Sequence, residues 1–261
     1  MNRYDYTRAE IQAYTMALQI KNGDVVIVGT GLPVVGAILA KKTFAPECAL
    51  LVEAGLMDCD PIELPRSVSD LRMMEHCAVK WPPYRYLGVQ ANAWLHGDEN
   101  VIGFIGGAEI DPYGNVGSTS IGDYYRPKLR LPGSGGANGI ATHCNTIISM
   151  PHEKRHFRER IDYITSPGWI DGPNGRAKKN LPADRGPQTV VSDLGVLAFD
   201  DETKRMFLTG YYPFTSPAEI QEKTGFALDV SRAAELAPPP AEYRDLMRAI
   251  DPQHIFIKAE N

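Results

Sequence analysis

The residues best suited to chemistry begin with Glu53. An apolar run, Leu50-Leu51-Val52, leads into it, and Ala54-Gly55 follow. In open α/β sheets ligands gather at the carboxyl ends of strands, so a carboxylate delivered there is well placed to react. With a reference pKa near ~4.3 it is ionised at neutral pH, and it can attack a thioester carbonyl to give an acyl-glutamyl anhydride. The plainer reading is a solvated acid at a strand end.

A second stretch, Gly133-Ser134-Gly135-Gly136-Ala137-Asn138-Gly139, holds four glycines in seven residues. Such a backbone comes close to a ligand and turns several amides one way, which suits a phosphate or an oxyanion. One donor of this kind is worth about 3 kcal/mol in a transition state. A surface turn is the alternative, but Pro132 before it and Ile140-Ala141 after it favour an ordered loop.

Three further patterns carry less. Gly29-x-Gly31 after an apolar run, with Glu53 downstream, has the outline of a dinucleotide fingerprint, but Val34 stands where the third glycine belongs and Pro33 precedes it. His152-Glu153-Lys154-Arg155-His156 matches HExxH, yet Pro151 precedes it, a charged run follows, and no third zinc ligand stands at a usual spacing. It reads as a polar helical face. Trp169, inside the Pro/Gly stretch Thr165 to Pro173, could line a pocket or a subunit interface, or simply pin its loop by burying its ring.

Positioning these residues takes a frame. Thr7-Arg8-Ala9-Glu10 is a capping box, and Ile11, Tyr14 and Leu18 then mark a helical face that Lys21-Asn22-Gly23 would end. Asp24 to Val28 and Cys48 to Val52 read as apolar strands joined by a helix from Pro33 to Phe44, a pattern that implies a buried parallel sheet. Further strands are expected at Val101 to Ile105, Asn145 to Met150 and Gln188 to Ser192, with a hairpin over Leu194 to Phe199 and Arg205 to Thr209. Ser216-Pro217-Ala218-Glu219 opens a helix closed by Gly225, and Glu242 to Ile250 is a last helix after a soft stretch at Ala237 to Pro240. The expected class is α/β: one domain over residues 1–261, with an open mixed, mainly parallel sheet flanked by helices.

Composition narrows the function. The chain has 261 residues and a formal net charge of −5, which disfavours a nucleic-acid partner. No apolar run is long enough to cross a bilayer, and the first ten residues lack a signal peptide's apolar core, so the cytoplasm is expected. Cys48, Cys59, Cys77 and Cys144 show no CxxC spacing and read as reduced thiols. The 24 Gly and 20 Pro cluster in long loops, which in compact chains are often functional.

Several runs together carry a resemblance: GDVVIVGTGLP from Gly23 to Pro33, VEAGLMDCDPIELPRSVSDLR from Val52 to Arg72, FIGGAEIDPYGNVGSTSIGDYYRPK from Phe104 to Lys128, GSGGANGIAT from Gly133 to Thr142 and ITSPGWIDGP from Ile164 to Pro173. In this order they resemble the B (β-type) subunits of the glutaconate CoA-transferase family, within the family I CoA-transferases. The likeness extends to IDPQHIFI, Ile250 to Ile257.

That resemblance implies a function. Glu53 would be the nucleophile, carrying CoA as a glutamyl-CoA thioester between acetyl-CoA and a dicarboxylate such as glutaconate or 2-hydroxyglutarate. The amides of Gly135, Gly136 and Ala137 would form or frame the oxyanion hole, and Gly29, Gly31 and Asn138 would line the pocket. No permanently bound cofactor and no metal are implied, the CoA thioester being a substrate. A separate A-type subunit would complete a hetero-oligomer. An acyl-CoA hydrolase or decarboxylase of the same fold is the alternative; an NAD-binding oxidoreductase, a zinc hydrolase or a scaffold for the partner are readings from other classes.

Overall fold

The first helix starts where its capping box demands. Thr7 Oγ1 accepts from the Glu10 amide at 3.1 Å and Glu10 Oε2 accepts from the Thr7 amide at 2.7 Å, opening α1 (Arg8–Ala17). Ile11 faces the core, but Leu18 is the C-cap and is 52% exposed. The helix therefore ends before Lys21-Asn22-Gly23. That tripeptide instead forms the turn into the next strand, with Asp24 Oδ2 accepting from the Lys21 amide at 2.7 Å.

The computed structural model describes residues 4–59, 63–67, 70–74, 76–82 and 100–258. Of the runs that carry the resemblance, the one from Val52 to Arg72 lies partly outside these, at residues 60–62 and 68–69. The chain divides into two compact units, Met1–Phe104 with Pro238–Asn261, and Ile105–Ala237.

In the first unit β1 (Val25–Ile27), α2 (Leu32–Lys42) and β2 (Ala49–Val52) form a β-α-β crossover. β1 pairs in parallel with β2 and with β5 (Val101–Ile105), and these short apolar strands are almost wholly buried. Beyond β2 the sheet turns antiparallel through β3 (Leu56–Met57) and β4 (Val79–Lys80). Helix α2 packs on α1 through Gly36: a Cβ there would stand 2.7 Å from the Ala13 carbonyl oxygen and 3.1 Å from Met16 Cβ. The last helix, α6 (Ala241–Ile250), joins this layer through Tyr243, whose ring lies 5.7 Å from that of Tyr14, and through Arg248, which pairs with the buried Glu10 at 2.7 Å.

In the second unit two small hairpins come first, β6 (Glu109–Ile110) with β7 (Val116–Gly117) and β8 (Ser120–Gly122) with β9 (Pro127–Arg130). Helix α3 (Ala137–His143) leads to β10 (Asn145–Met150), and the short α4 (Gly175–Lys178) precedes β11 (Pro187–Ser192), which runs parallel to β10. β12 (Gly195–Phe199) and β13 (Met206–Tyr211) extend the sheet antiparallel, as the hairpin pattern requires. Ser216 caps α5 (Pro217–Glu222), and β14 (Ala234–Glu235) closes the edge in parallel with β13. The class is α/β, with parallel and antiparallel pairing mixed. Among the described residues no helix is long and apolar enough to cross a membrane.

Candidate active site

Glu53 sits at the tip of a three-residue hairpin. Val52 and Leu56 are paired across β2 and β3, and the Gly55 amide donates to the Val52 carbonyl at 2.9 Å, closing a tight turn over Glu53 and Ala54. Gly55 has φ +83°, a conformation side chains rarely tolerate, and a Cβ on it would stand 2.3 Å from the Trp81 carbonyl oxygen. Turn geometry and close packing thus both require glycine. Ala54 packs inward on Val52, Leu56 and Cys59. Glu53 is exposed while Leu51 and Val52 before it are buried, so the sheet edge presents a solvated carboxylate on a firm base.

Gly29 belongs to the same edge. Ile27 of β1 is in register with Leu51 of β2, and the Val28 amide donates to Leu51 O at 3.1 Å, so Gly29 and Glu53 each lie two residues past that pair. Gly31 caps α2 with φ +116°. The dinucleotide reading fails on packing: Val34 is buried, and the glycine that permits close approach is Gly36, which serves contact with α1.

In the second unit the glycine-rich loop leaves β9 and enters α3. It is tied down on both sides: Gly133 donates to Ser118 O at 2.8 Å, and Asn138 Nδ2 donates to Thr165 O at 2.8 Å. Thr165 Oγ1 in turn accepts from the Ser118 amide at 2.9 Å. The loop is ordered, as its flanks suggest. The Ala137 amide is already committed to Ser134 O at 3.0 Å, whereas the amides of Gly135 and Gly136 make no hydrogen bond among the described residues. Gly135 and Asn138 are exposed and Gly136 is half-buried.

Arg176 escaped the sequence reading. It is 2% exposed, yet its guanidinium donates only to carbonyls: Pro182 at 2.7 Å, Ala141 at 3.1 Å, Pro167 at 3.2 Å, Gly168 at 3.1 Å and Thr142 at 2.7 Å. It thereby satisfies the last carbonyls of α3 and ties them to the Pro/Gly loop. Burial pushes its pKa down to about 10, against the pull of Asp184, so it stays charged at neutral pH. A lone arginine within Asn174-Gly175-Arg176-Ala177 carries no signal of this role.

The HExxH match does not form a zinc site. Residues 152–156 form a turn, not the expected helical face, because the chain after Pro151 closes through Glu153 O accepting from the His156 and Phe157 amides. His152 Nδ1 lies 3.0 Å from Ser192 Oγ and Nε2 lies 2.9 Å from Thr224 Oγ1, so both ring nitrogens are engaged. Its ring stacks on Phe157 at 3.9 Å, and burial, helped by nearby Lys223, lowers its pKa to about 3. His152 is a core histidine. Trp169 likewise pins its loop: Nε1 donates to Pro187 O at 3.1 Å and the ring packs against Gly186.

The family described as coenzyme A transferase matches residues 9–223. The chain belongs to that family. It is 60% identical over 255 residues to the B subunit of glutaconate CoA-transferase from Acidaminococcus fermentans, covering 97% of this chain and 96% of that one. The crystal structure of glutaconate coenzyme A-transferase from that organism superposes with a TM-score of 0.96 at 59% identity, covering 98% of this chain and 99% of the other. The decarboxylase AibA/AibB is similar at a TM-score of 0.80 and 26% identity, covering 95% and 96%. The chain is thus an enzyme subunit of CoA-transferase type, with the expected α/β class of fold.

Proposed function

We propose that this chain is the catalytic B-type subunit of a CoA-transferase that moves CoA from acetyl-CoA to a small dicarboxylate, glutaconate or 2-hydroxyglutarate. The observation that carries this is Glu53: an exposed carboxylate on a tight hairpin, in a chain 60% identical to the B subunit of glutaconate CoA-transferase. The Glu53 carboxylate attacks the acetyl carbonyl and expels CoA thiolate, leaving an acetyl-glutamyl anhydride. The thiolate returns to the glutamyl carbonyl, acetate leaves, and a glutamyl-CoA thioester remains. The acceptor carboxylate attacks this thioester, and the released thiolate takes the acceptor's acyl carbon and frees Glu53. Each step exchanges one activated acyl bond for another, so water must be kept out.

The Gly135 and Gly136 amides supply the oxyanion donors in this reading, since the Ala137 amide serves its own turn. Gly29, Gly31 and Asn138 border the pocket. The CoA thioester is a substrate, with no permanently bound cofactor. An A-type subunit, as the name of the relative implies, completes the assembly and contacts the acceptor acid. Residues 1–261 act as one CoA-transferase β-type domain, in the cytoplasm.

The fold is shared with a decarboxylase, so fold alone does not choose among transfer, hydrolysis and decarboxylation. The test is acyl exchange: the chain co-purified with its partner should form glutaconyl-CoA from acetyl-CoA and glutaconate, one CoA thioester formed for each consumed. Net loss of thioester to free CoA would favour a hydrolase.

A further inference from the structure

The hairpin β8–β9 has no part in the proposed acyl-transfer steps, and its chemistry is distinctive. Its tip, Asp123-Tyr124-Tyr125-Arg126, and its return strand, Pro127–Arg130, hold three cations, Arg126, Lys128 and Arg130, on a chain whose formal net charge is −5. All three are exposed, and among the described residues none is paired with a carboxylate. Two acids, Asp123 and Asp162, bond backbone amides of the hairpin instead. Asp123 Oδ1 accepts from the Tyr125 and Arg126 amides at 2.9 and 2.8 Å, and Asp162 Oδ2 accepts from the Gly122 amide at 2.7 Å.

Aromatic rings are built in among these cations. Tyr124 stacks on Tyr163 at 5.1 Å, and the Arg130 guanidinium lies 4.9 Å over the Tyr124 ring while donating to the Tyr124 carbonyl at 2.6 Å. Tyr125 stands edge-on to Tyr124 and is 87% exposed. An exposed ring beside unpaired cations suits a planar base attached to phosphates.

The hairpin also leads to the glycine loop. Beyond the named strands, Leu131 donates to Thr119 O at 2.9 Å and Gly133 to Ser118 O at 2.8 Å, so the two arms of the hairpin stay together up to Gly133. At ~3.3 Å per residue, the stretch from Arg126 to Gly133 spans on the order of 20 Å. A ligand lying along it would place a nucleotide at the tip and a reactive group at the loop, with an extended arm between.

We propose that the β8–β9 hairpin binds the 3′-phosphorylated ADP end of the CoA thioester, with Arg126, Lys128 and Arg130 facing its phosphates and Tyr125 stacking on adenine. This names a subsite for the substrate and so rests on the CoA-transfer reading.

The test uses the chain co-purified with its partner subunit and the triple variant Arg126→Ala/Lys128→Ala/Arg130→Ala, with Tyr125→Ser as a milder change. The KM for acetyl-CoA should rise about tenfold or more in the triple variant, with kcat within about twofold. The KM for acetyl-pantetheine, which lacks the nucleotide, should not move. An unchanged KM for acetyl-CoA, equal rises for both thioesters, or loss of the partner on gel filtration would overturn the proposal, the last marking the hairpin as a subunit interface. Calorimetric titration with adenosine 3′,5′-bisphosphate separates the two readings. Binding abolished by the triple variant in a complex that transfers no CoA would sustain the hairpin while the transferase reading fell. Equal binding to wild type and variant would sink the hairpin alone.

Discussion

Gly55 and Trp81 brace the hairpin that bears Glu53: the Trp81 amide donates to the Gly55 carbonyl at 2.7 Å, and the Trp81 carbonyl fills the space a Cβ on Gly55 would need. Gly55→Ala therefore meets both a left-handed φ and a backbone clash. Together these should cost about 2–4 kcal/mol, read from urea denaturation. Glu53 is two residues away in the same turn, so turnover should fall even in the folded fraction. A variant as stable as the wild type would show that the turn yields easily.

Glu53→Asp keeps the charge and shortens the reach by one methylene. A misplacement of about 1 Å can cost roughly 100-fold in rate, and a loss of that order is expected. Because the side chain is exposed, the melting temperature should hardly change. Near wild-type turnover would remove Glu53 from the nucleophile's role.

Arg176→Met keeps the stem and removes the guanidinium's donors to five carbonyls, four of them in buried residues. Unpaired buried acceptors cost about 1–3 kcal/mol each, so a loss of at least about 3 kcal/mol is expected. Arg176→Lys should rescue little, since one ammonium cannot reproduce the planar fork. Thermal and chemical melts of both variants check this.

His152 gives the fold a pH dependence. Its folded pKa, about 3, lies below its unfolded value near ~6.5, so the unfolded chain takes up a proton first as pH falls. Stability is complete above ~6.5 and is lost between that and about 3, at up to ~1.4 kcal/mol per pH unit from this group. Buried Asp111, raised to about 6 mainly by desolvation, works in the opposite direction: its contribution is complete below ~3.8 and lost as pH rises through about 6. Asp111 remains in both wild type and His152→Gln, so the difference between their stability–pH curves isolates His152. Parallel curves from pH 7 to pH 4 would contradict the assignment.

Much of this was legible in the chain. The capping box at Thr7, the apolar strands around Val26 and Leu51, and the Ser216 cap all rest on local chemistry, and each element lies within a few residues of its expected place. The carboxylate at the end of β2 could be located, though the hairpin that bears it could not, because β3 and β4 are two residues each and their pairing is set by Gly55 against Trp81. Local pattern misled at Gly23, where a left-handed glycine marks a turn and not the helix end, and at His152, where a helical motif lies in a turn. Arg176 was beyond reach, since its partners come from residues 141 to 182 and meet only in the folded chain.

The most direct measurement is to trap the acyl-enzyme. The chain and its partner subunit are incubated with acetyl-CoA, reduced with borohydride, digested and mapped by mass spectrometry. A reduced side chain at Glu53, absent without acetyl-CoA and absent in Glu53→Gln, is the expected result. An unmodified Glu53 in a complex that still consumes acetyl-CoA would contradict covalent transfer through this residue.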